Sequence, residues 1–305
     1  MPYLVKPMSF VLVIVLGFLL KRAGFFGEAD RKLLSKIMIT ITLPCAIVQA
    51  FDGFERKGEL FLIVGIGFLC AFLPMLMMYL CTKGVPTKIR AYRMINIGGY
   101  NIGCFSLPLI QAFFGSTGVV AACMFDTGNA VMMTGGSYAM TSTLLHTGGD
   151  QQESLREILF KFLKSAPFDT YMILIALVAL DVKLPSLLIE LTRPMGQANG
   201  FIAMLIIGMA FEPAGDKRLL AETARELFFR YLFAALSALV LYFLTPFDLI
   251  IRQTLAVLCF APLSSLAVVY TERCKSDTAL AGLTNSLSIA VSLIVMLALS
   301  LHFVA

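Results

Sequence analysis

Residues 100–108, YNIGCFSLP, interrupt a hydrophobic segment and decide how the rest of the sequence is interpreted. Gly98, Gly99 and Gly103 weaken a helix here, since glycine loses the most conformational freedom on folding. Pro108 lacks a backbone N–H and clashes with the carbonyl four residues before it. Polar side chains fall in the same place, namely Asn96, Asn101 and Ser106. Because irregular backbone at membrane depth must be buried in protein or line a cavity, the stretch predicts a broken helix at a functional site.

A second interruption lies at residues 261–265, APLSS. In each break we expect the second half-helix to begin at the proline, which suits the first helical position. The free N–H groups of both half-helices would then form an anion site without any buried arginine. The opposing carbonyl ends could hold a cation. The alternative is that each proline only kinks a packed helix.

The composition assigns the chain to the polytopic membrane proteins. Of the 305 residues, 59% are hydrophobic and 14% charged, against about 25% charged in soluble proteins. The net charge of +5 therefore reflects membrane topology and does not indicate nucleic-acid binding. The seven cysteines form no CxxC pair, so we expect neither a metal site nor a disulfide framework, and no cofactor.

Ten segments are apolar enough to span a bilayer, which needs about 20 residues per helix. They are residues 3–20, 33–51, 60–81, 90–114, 118–145, 167–184, 187–211, 228–247, 249–270 and 279–303. Pro44 predicts a kink in the second. A polar, amphipathic linker at 147–164 is expected on the membrane surface.

The basic residues orient these spans in the cytoplasmic membrane. An assignment with both termini outside puts most of the 24 Lys and Arg residues, Arg230 among them, in inner loops. Those left outside are Lys6, Arg56, Lys57, Lys183, Arg193 and Arg252.

Five spans on each side of the linker predict two halves of opposite orientation, an inverted repeat. The expected division is residues 1–146, a linker at 147–166, and residues 167–305. Pro108 and Pro262 each fall in the fourth span of their half. The next span of each half carries one interior asparagine, Asn129 or Asn285.

Asp126 is the only carboxylate that this assignment places deep in a span, about 12 Å from the outer end. Asn129 follows at i+3 and shares its helix face. An intramembrane carboxylate is a functional candidate, and Asp126 is expected to carry a coupling proton. A structural carboxylate bonded to neighbouring helices is the alternative.

Several motifs resemble those of the auxin efflux carrier family, the PIN-like transporters, and fit its bacterial branch best. They are the crossover motif 101–110, the FG turn at 114–118, Leu43-Pro44, Ala261-Pro262, and residues 269–272. Ser106 replaces the family's usual glycine. The resemblance implies a bile-acid-symporter-like fold with crossed fourth and ninth helices. It also implies small organic anions such as malate, malonate or auxin as substrates, with Asn101 in contact with the substrate.

We therefore expect an all-α secondary transporter that moves a small organic anion by alternating access. The candidate substrate-binding residues are Asn101, Ser106, Pro108, Asn129, Pro262, Ser264 and Ser265. The candidate ion-coupling residues are Asp126 and Asn285, with a proton or sodium as the ion. A cation/proton antiporter using Asp126 and Asn129 is the alternative, and a channel or sensor also stays open. No enzyme motif falls within the spans. The lipid bilayer is the surrounding partner, and a homodimer stays open.

Overall fold

A computed structural model of the chain describes residues 2–52, 61–147, 166–180, 182–210 and 217–304. These residues form helices and no strand, so the predicted all-α class is confirmed for them. The predicted surface linker lies outside the described residues, except for Thr147.

We number the helices in chain order. They are α1 (Pro2–Arg22), α2 (Glu28–Ala50), α3 (Phe61–Cys81), α4 (Thr87–Ile97), α5 (Ile102–Leu145), α6 (Ala166–Ala179), α7 (Ser186–Ala210), α8 (Lys217–Leu244), α9 (Leu249–Leu258), α10 (Leu266–Arg273) and α11 (Thr278–Val304). Within the described ranges, five helices are long and apolar enough to cross a membrane, and they are α2, α3, α5, α8 and α11. The ten-span inverted repeat stays a prediction.

Helix α5 is a single helical stretch with a sharp bend. Its 44 residues would measure about 66 Å if straight, which is twice the hydrocarbon thickness of a bilayer. The bend occurs at Gly115, where φ is 63° and ψ is −155°. This left-handed φ favours glycine, which has no Cβ to clash. The bend lies at the turn that the sequence places between two spans, and it separates residues 102–114 from 116–145, a part that is itself kinked at Gly135.

Two Leu-Pro pairs are preceded by a π-helical turn. Residues Met38–Thr42 form one before Pro44, and Ile102–Ser106 form the other before Pro108. In the second, the N–H of Leu107 reaches back five residues to the carbonyl of Ile102. Since proline has no N–H to donate and its ring needs room, the wider turn accommodates it. The kink predicted at Pro44 therefore takes the form of a π turn.

The two breaks lie between α4 and α5 and between α9 and α10. The expectation that each second half-helix begins at its proline is met by the regular α-helix of the first break, which starts at Leu107 with Pro108 in its first turn, and is wrong for the second break. Helix α5 as a whole begins earlier, at Ile102, because a π turn of residues 102–106 precedes the proline. Helix α10 begins four residues after Pro262, since Ser264 Oγ accepts the N–H of Leu266 at 3.3 Å and thereby starts the next turn.

Close backbone contact joins α3 to the second part of α5. A Cβ built on Gly128 would lie 1.8 Å from the carbonyl oxygen of Val64. A Cβ on Gly67 would lie 2.0 Å from the carbonyl oxygen of Phe125. Small residues allow such approach between membrane helices. This packing fixes the segment of α5 that carries Asp126 and Asn129.

We predict that Gly128→Ala lowers the stability of the protein by about 1–3 kcal/mol, because the added methyl group forces α3 and α5 apart. Gly65→Ala on α3 is the matched control, since nothing lies within 4 Å of a Cβ at that position. Thermal unfolding of the two detergent-solubilised variants, followed by circular dichroism, measures the difference. Equal midpoints would show that the contact does not constrain the two helices.

Candidate functional site

The two breaks meet inside the protein. The backbone N–H of Asn101 donates a hydrogen bond of 2.9 Å to the carbonyl oxygen of Pro262. This bond joins the first break directly to the second. The sequence prediction that the two breaks face each other is therefore correct.

Asn129 on α5 holds the first break in place. Its Oδ1 accepts the backbone N–H of Tyr100 at 2.9 Å, and its Nδ2 donates to the carbonyl oxygen of Tyr100 at 2.8 Å. Nδ2 also lies 2.9 Å from Oδ1 of Asp126. Since Asn129 is completely buried, these bonds replace the helical hydrogen bonds that Tyr100 has lost.

Ser288 on α11 has a related role at the second break. Its Oγ accepts the backbone N–H of Leu263 at 3.2 Å and donates to the carbonyl oxygen of Asn285 at 2.7 Å. Each break is therefore held by a buried polar side chain from the second helical segment after it, which is the part of α5 beyond Gly115 for the first break and α11 for the second.

Arg230 on α8 binds the carbonyl ends of both broken helices. Its Nη1 donates to Ile97 O at 2.8 Å and to Gly98 O at 3.5 Å. Its Nη2 donates to Gly99 O and Ala261 O, both at 2.9 Å. The side chain is 3% exposed, and the guanidinium lies 5.2 Å from the centre of the Tyr100 ring. One cation thus satisfies the backbone at the carboxyl ends of α4 and α9.

The assignment of Arg230 to an inner loop is wrong, because the residue is buried within α8. Because α8 begins at Lys217, Arg230 lies about 20 Å along the helix. Glu226 is 1% exposed, so Asp126 is also not the only deep carboxylate. The sequence does indicate this buried charged face, because the four-residue spacing of Glu222, Glu226 and Arg230 places all three on one side of α8.

A cavity of about 900 Å³ adjoins the crossing. It reaches from the breaks to the region where α1 ends and α2 begins. Its polar and charged lining residues include Lys21, Glu28, Arg31, Ser35, Asn101, Asp126, Thr134, Tyr171, Ser264, Ser265, Asn285 and Ser286. The volume is that of a pocket for a small molecule.

The amino ends of α5 and α10 both face this cavity. Residues 102–105 at the start of α5 line it, and so do residues 264–266 at the start of α10. The first N–H groups of a helix carry partial positive charge. At α10 the N–H groups of residues 266–268 are bonded to Ser264 and Ser265, so α10 contributes its dipole and α5 contributes N–H groups without helical partners. The cavity is therefore suited to bind an anion between two helix ends.

The structure divides the predicted site residues into two groups. The residues that line the cavity are Asn101, Asp126, Ser264, Ser265 and Asn285. Those that do not are Ser106, Pro108, Asn129 and Pro262. Ser106 is completely buried, and its Oγ donates to the carbonyl oxygen of Asn101 at 3.3 Å. Ser106, Asn129 and Pro262 instead form hydrogen bonds with the backbone of residues 100 and 101.

Asp126 lies beside the amino end of α5. It is 7% exposed, and its Oδ2 would be 3.7 Å from a Cβ built on Gly103. The carboxyl group therefore faces the same positive helix end that would attract a bound anion. Among the described residues, no group of three or more His, Cys, Asp or Glu side chains could hold a metal ion.

Comparison with known proteins finds membrane transport proteins. The profile of a family described as membrane transport protein matches residues 3–300. An uncharacterized transporter of Methanothermobacter thermautotrophicus is 26% identical over 158 residues, which cover 50% of this chain and 51% of that protein. An uncharacterized transporter of Methanocaldococcus jannaschii is 24% identical over 227 residues, which cover 69% of this chain and 71% of that protein. The match thus spans about half the length of the first relative.

We predict that Asn129→Ala destabilises the protein strongly. The variant leaves the N–H and carbonyl of Tyr100 buried without partners, at a cost of about 1–3 kcal/mol for each group. Asn285→Ala is the control, because Oδ1 of Asn285 is buried without a hydrogen-bond partner and its loss costs little. The thermal unfolding midpoints of the two variants give the comparison. The interpretation fails if Asn285→Ala is destabilised as much as Asn129→Ala.

Proposed function

We propose a function from one established premise, which is that the chain belongs to the membrane transport protein family. The family and the apolar helices identify a multi-pass membrane protein. The substrate, the mechanism and the orientation in the membrane are proposals.

The protein is a secondary transporter of a small organic anion. One observation carries this proposal: the amino ends of α5 and α10, together with Asn101, line a single cavity. Anionic groups bind at helix amino ends, and transporters with broken helices place their substrates at such ends. Ser264 and Ser265 add hydroxyl donors to the same wall. A carboxylate fits this arrangement of backbone N–H, amide and hydroxyl donors.

The chain forms ten spans in two inverted repeats of a bile-acid-symporter-like fold. The first repeat is residues 1–146, the linker is 147–166, and the second repeat is 167–305. In this assignment α4 and the first part of α5 form the fourth span, and α9 and α10 form the ninth. The meeting of the two breaks at one hydrogen bond supports the symmetry.

The cavity opens to the cytoplasm. It extends to the junction of α1 and α2, where Lys21 and Arg31 line it. The bias of basic residues assigns this junction to the inner side of the cytoplasmic membrane, with both termini outside. The structure is then an inward-facing state, and the substrate crosses when the cavity opens to the other side.

Asp126 couples transport to a proton. A charged carboxylate at the amino end of α5 repels an incoming anion and occupies the positive end of the helix. When Asp126 is protonated, the repulsion is removed, and the anion and the proton bind together. The other charged residues that line the cavity are Lys21, Glu28 and Arg31, and they lie towards its mouth.

A cation/proton antiporter based on Asp126 and Asn129 is the second candidate. Both ends of the Asn129 amide are already bonded, to Tyr100 and to Asp126. Because Asn129 does not line the cavity, it offers no ligand atom to a cation there. Ion flux into proteoliposomes in the absence of any organic anion separates the two functions.

We predict that small mono- or dicarboxylates raise the thermal unfolding midpoint of the purified protein. Asn101→Ala abolishes the shift, because its side chain provides the amide at the crossing. Gln253→Ala is the control, since Gln253 lies outside the lining of the cavity and should keep the shift. The screen runs over a panel of carboxylates at several pH values. A panel that stabilises neither protein would overturn the anion proposal.

We predict that carboxylate uptake by the wild-type protein increases as the pH falls and Asp126 gains its proton. Asp126→Asn mimics the protonated side chain, so uptake becomes independent of pH. Uptake of a radiolabelled carboxylate into proteoliposomes at a series of pH values tests this. The same pH dependence in wild type and variant would assign the coupling to another group.

A further inference from the structure

We propose that Arg230 is a built-in cation that permanently fills the cation-binding end of the helix crossing, so that sodium does not bind there. This inference goes beyond the proposed function and does not depend on the identity of the substrate. It rests on the set of carbonyl groups around one buried side chain.

The oxygen atoms around Arg230 form the kind of cluster that binds a free cation. Carbonyls of residues 97–99 come from the first break, and the carbonyl of Ala261 comes from the second. In transporters with broken helices, unwound carbonyls and the carboxyl ends of half-helices coordinate the coupling cation. Here all four oxygens accept hydrogen bonds from one guanidinium. The position is therefore occupied by the protein itself.

The surroundings keep the guanidinium in place and charged. Its stem emerges from α8, and the Tyr100 ring covers one face at 5.2 Å. Glu226 is one helical turn earlier, and its Oε1 is buried without a hydrogen-bond partner. Arg93 on α4 pairs with Glu222 at 3.0 Å, towards the start of α8. Carbonyl dipoles and a nearby carboxyl group thus offset the cost of burying the charge.

A tethered cation has a consequence for the transport cycle. Sodium can enter and leave a carbonyl cluster, whereas a side chain of α8 cannot leave it. The carboxyl ends of the broken helices are therefore closed to exchangeable ions. Only the amino ends, which line the cavity, can bind and release a ligand. Removal of the guanidinium should leave four unpaired carbonyls and create a site for sodium.

The test compares thermal unfolding in sodium chloride and in N-methylglucamine chloride at equal ionic strength. We expect the wild-type midpoint to be the same in both salts. Arg230→Ala should unfold several degrees lower in N-methylglucamine chloride and recover part of that loss in a saturable manner as sodium is added. Arg230→Lys keeps a tethered charge and should stay indifferent to sodium.

Arg252→Ala is the matched control. Arg252 also lies over a tyrosine ring and donates to one backbone carbonyl, that of Tyr242, but it is remote from the crossing. This variant should show no response to sodium. A folded Arg230→Ala that ignores sodium would overturn the proposal. If Arg230→Ala does not fold, the unfolding midpoint of the wild type with and without sodium is the deciding measurement. Saturable stabilisation of the wild type by sodium would contradict the proposal, and a midpoint that sodium does not change would support it.

Discussion

The structure depends on how the backbone is satisfied where two helices are interrupted inside the protein. A buried N–H or carbonyl group without a partner costs about 1–3 kcal/mol, so each must find a partner inside the protein. Three sets of hydrogen bonds provide these partners. The side chains of Asn129 and Ser288 bond to the backbone of the two breaks, and the N–H of Asn101 donates to the carbonyl oxygen of Pro262. Arg230 donates to carbonyl oxygens of both breaks. The amino ends of α5 and α10 line the cavity.

The charge at the crossing is therefore distributed asymmetrically between the carboxyl ends and the amino ends of the broken helices. The carboxyl ends are neutralised by a fixed arginine, while the amino ends point into a cavity of about 900 Å³. A ligand in the cavity meets partial positive charge from two helices, and Asp126 lies close enough to oppose it. In the proposed function, the same backbone breaks that threaten stability provide the groups that bind the anion. Titration of Asp126 would then be a simple way to change the affinity for an anion.

The sequence was informative where a rule acts on single residues. Glycine and proline predicted the breaks near Tyr100 and Ala261, and the Phe-Gly pair at 114–115 marked the sharp bend in α5. The sequence was misleading where the position of a residue depends on contacts with segments that are distant in the chain. The start of the eighth span was placed at Phe228, so Glu226 fell in the preceding loop, and Arg230 was counted with the inner loop although it lies just inside the span. The carbonyls that bind Arg230 come from residues 97–99 and 261, so the burial of its charge depends on contacts between distant segments.

The sequence by itself determined that the chain is a helical membrane protein, where its helices are interrupted, and that a carboxylate lies deep in one of them. Composition and the conformational limits of Gly and Pro act locally, so these features can be predicted from the sequence without knowledge of tertiary contacts. Only the tertiary structure decided which polar residues line the cavity and which support it. Asn129 and Asn285 look equivalent in sequence, yet Asn129 is bonded on both sides and Asn285 faces the cavity. The difference arises from contacts between distant segments, which exist only after the helices have packed.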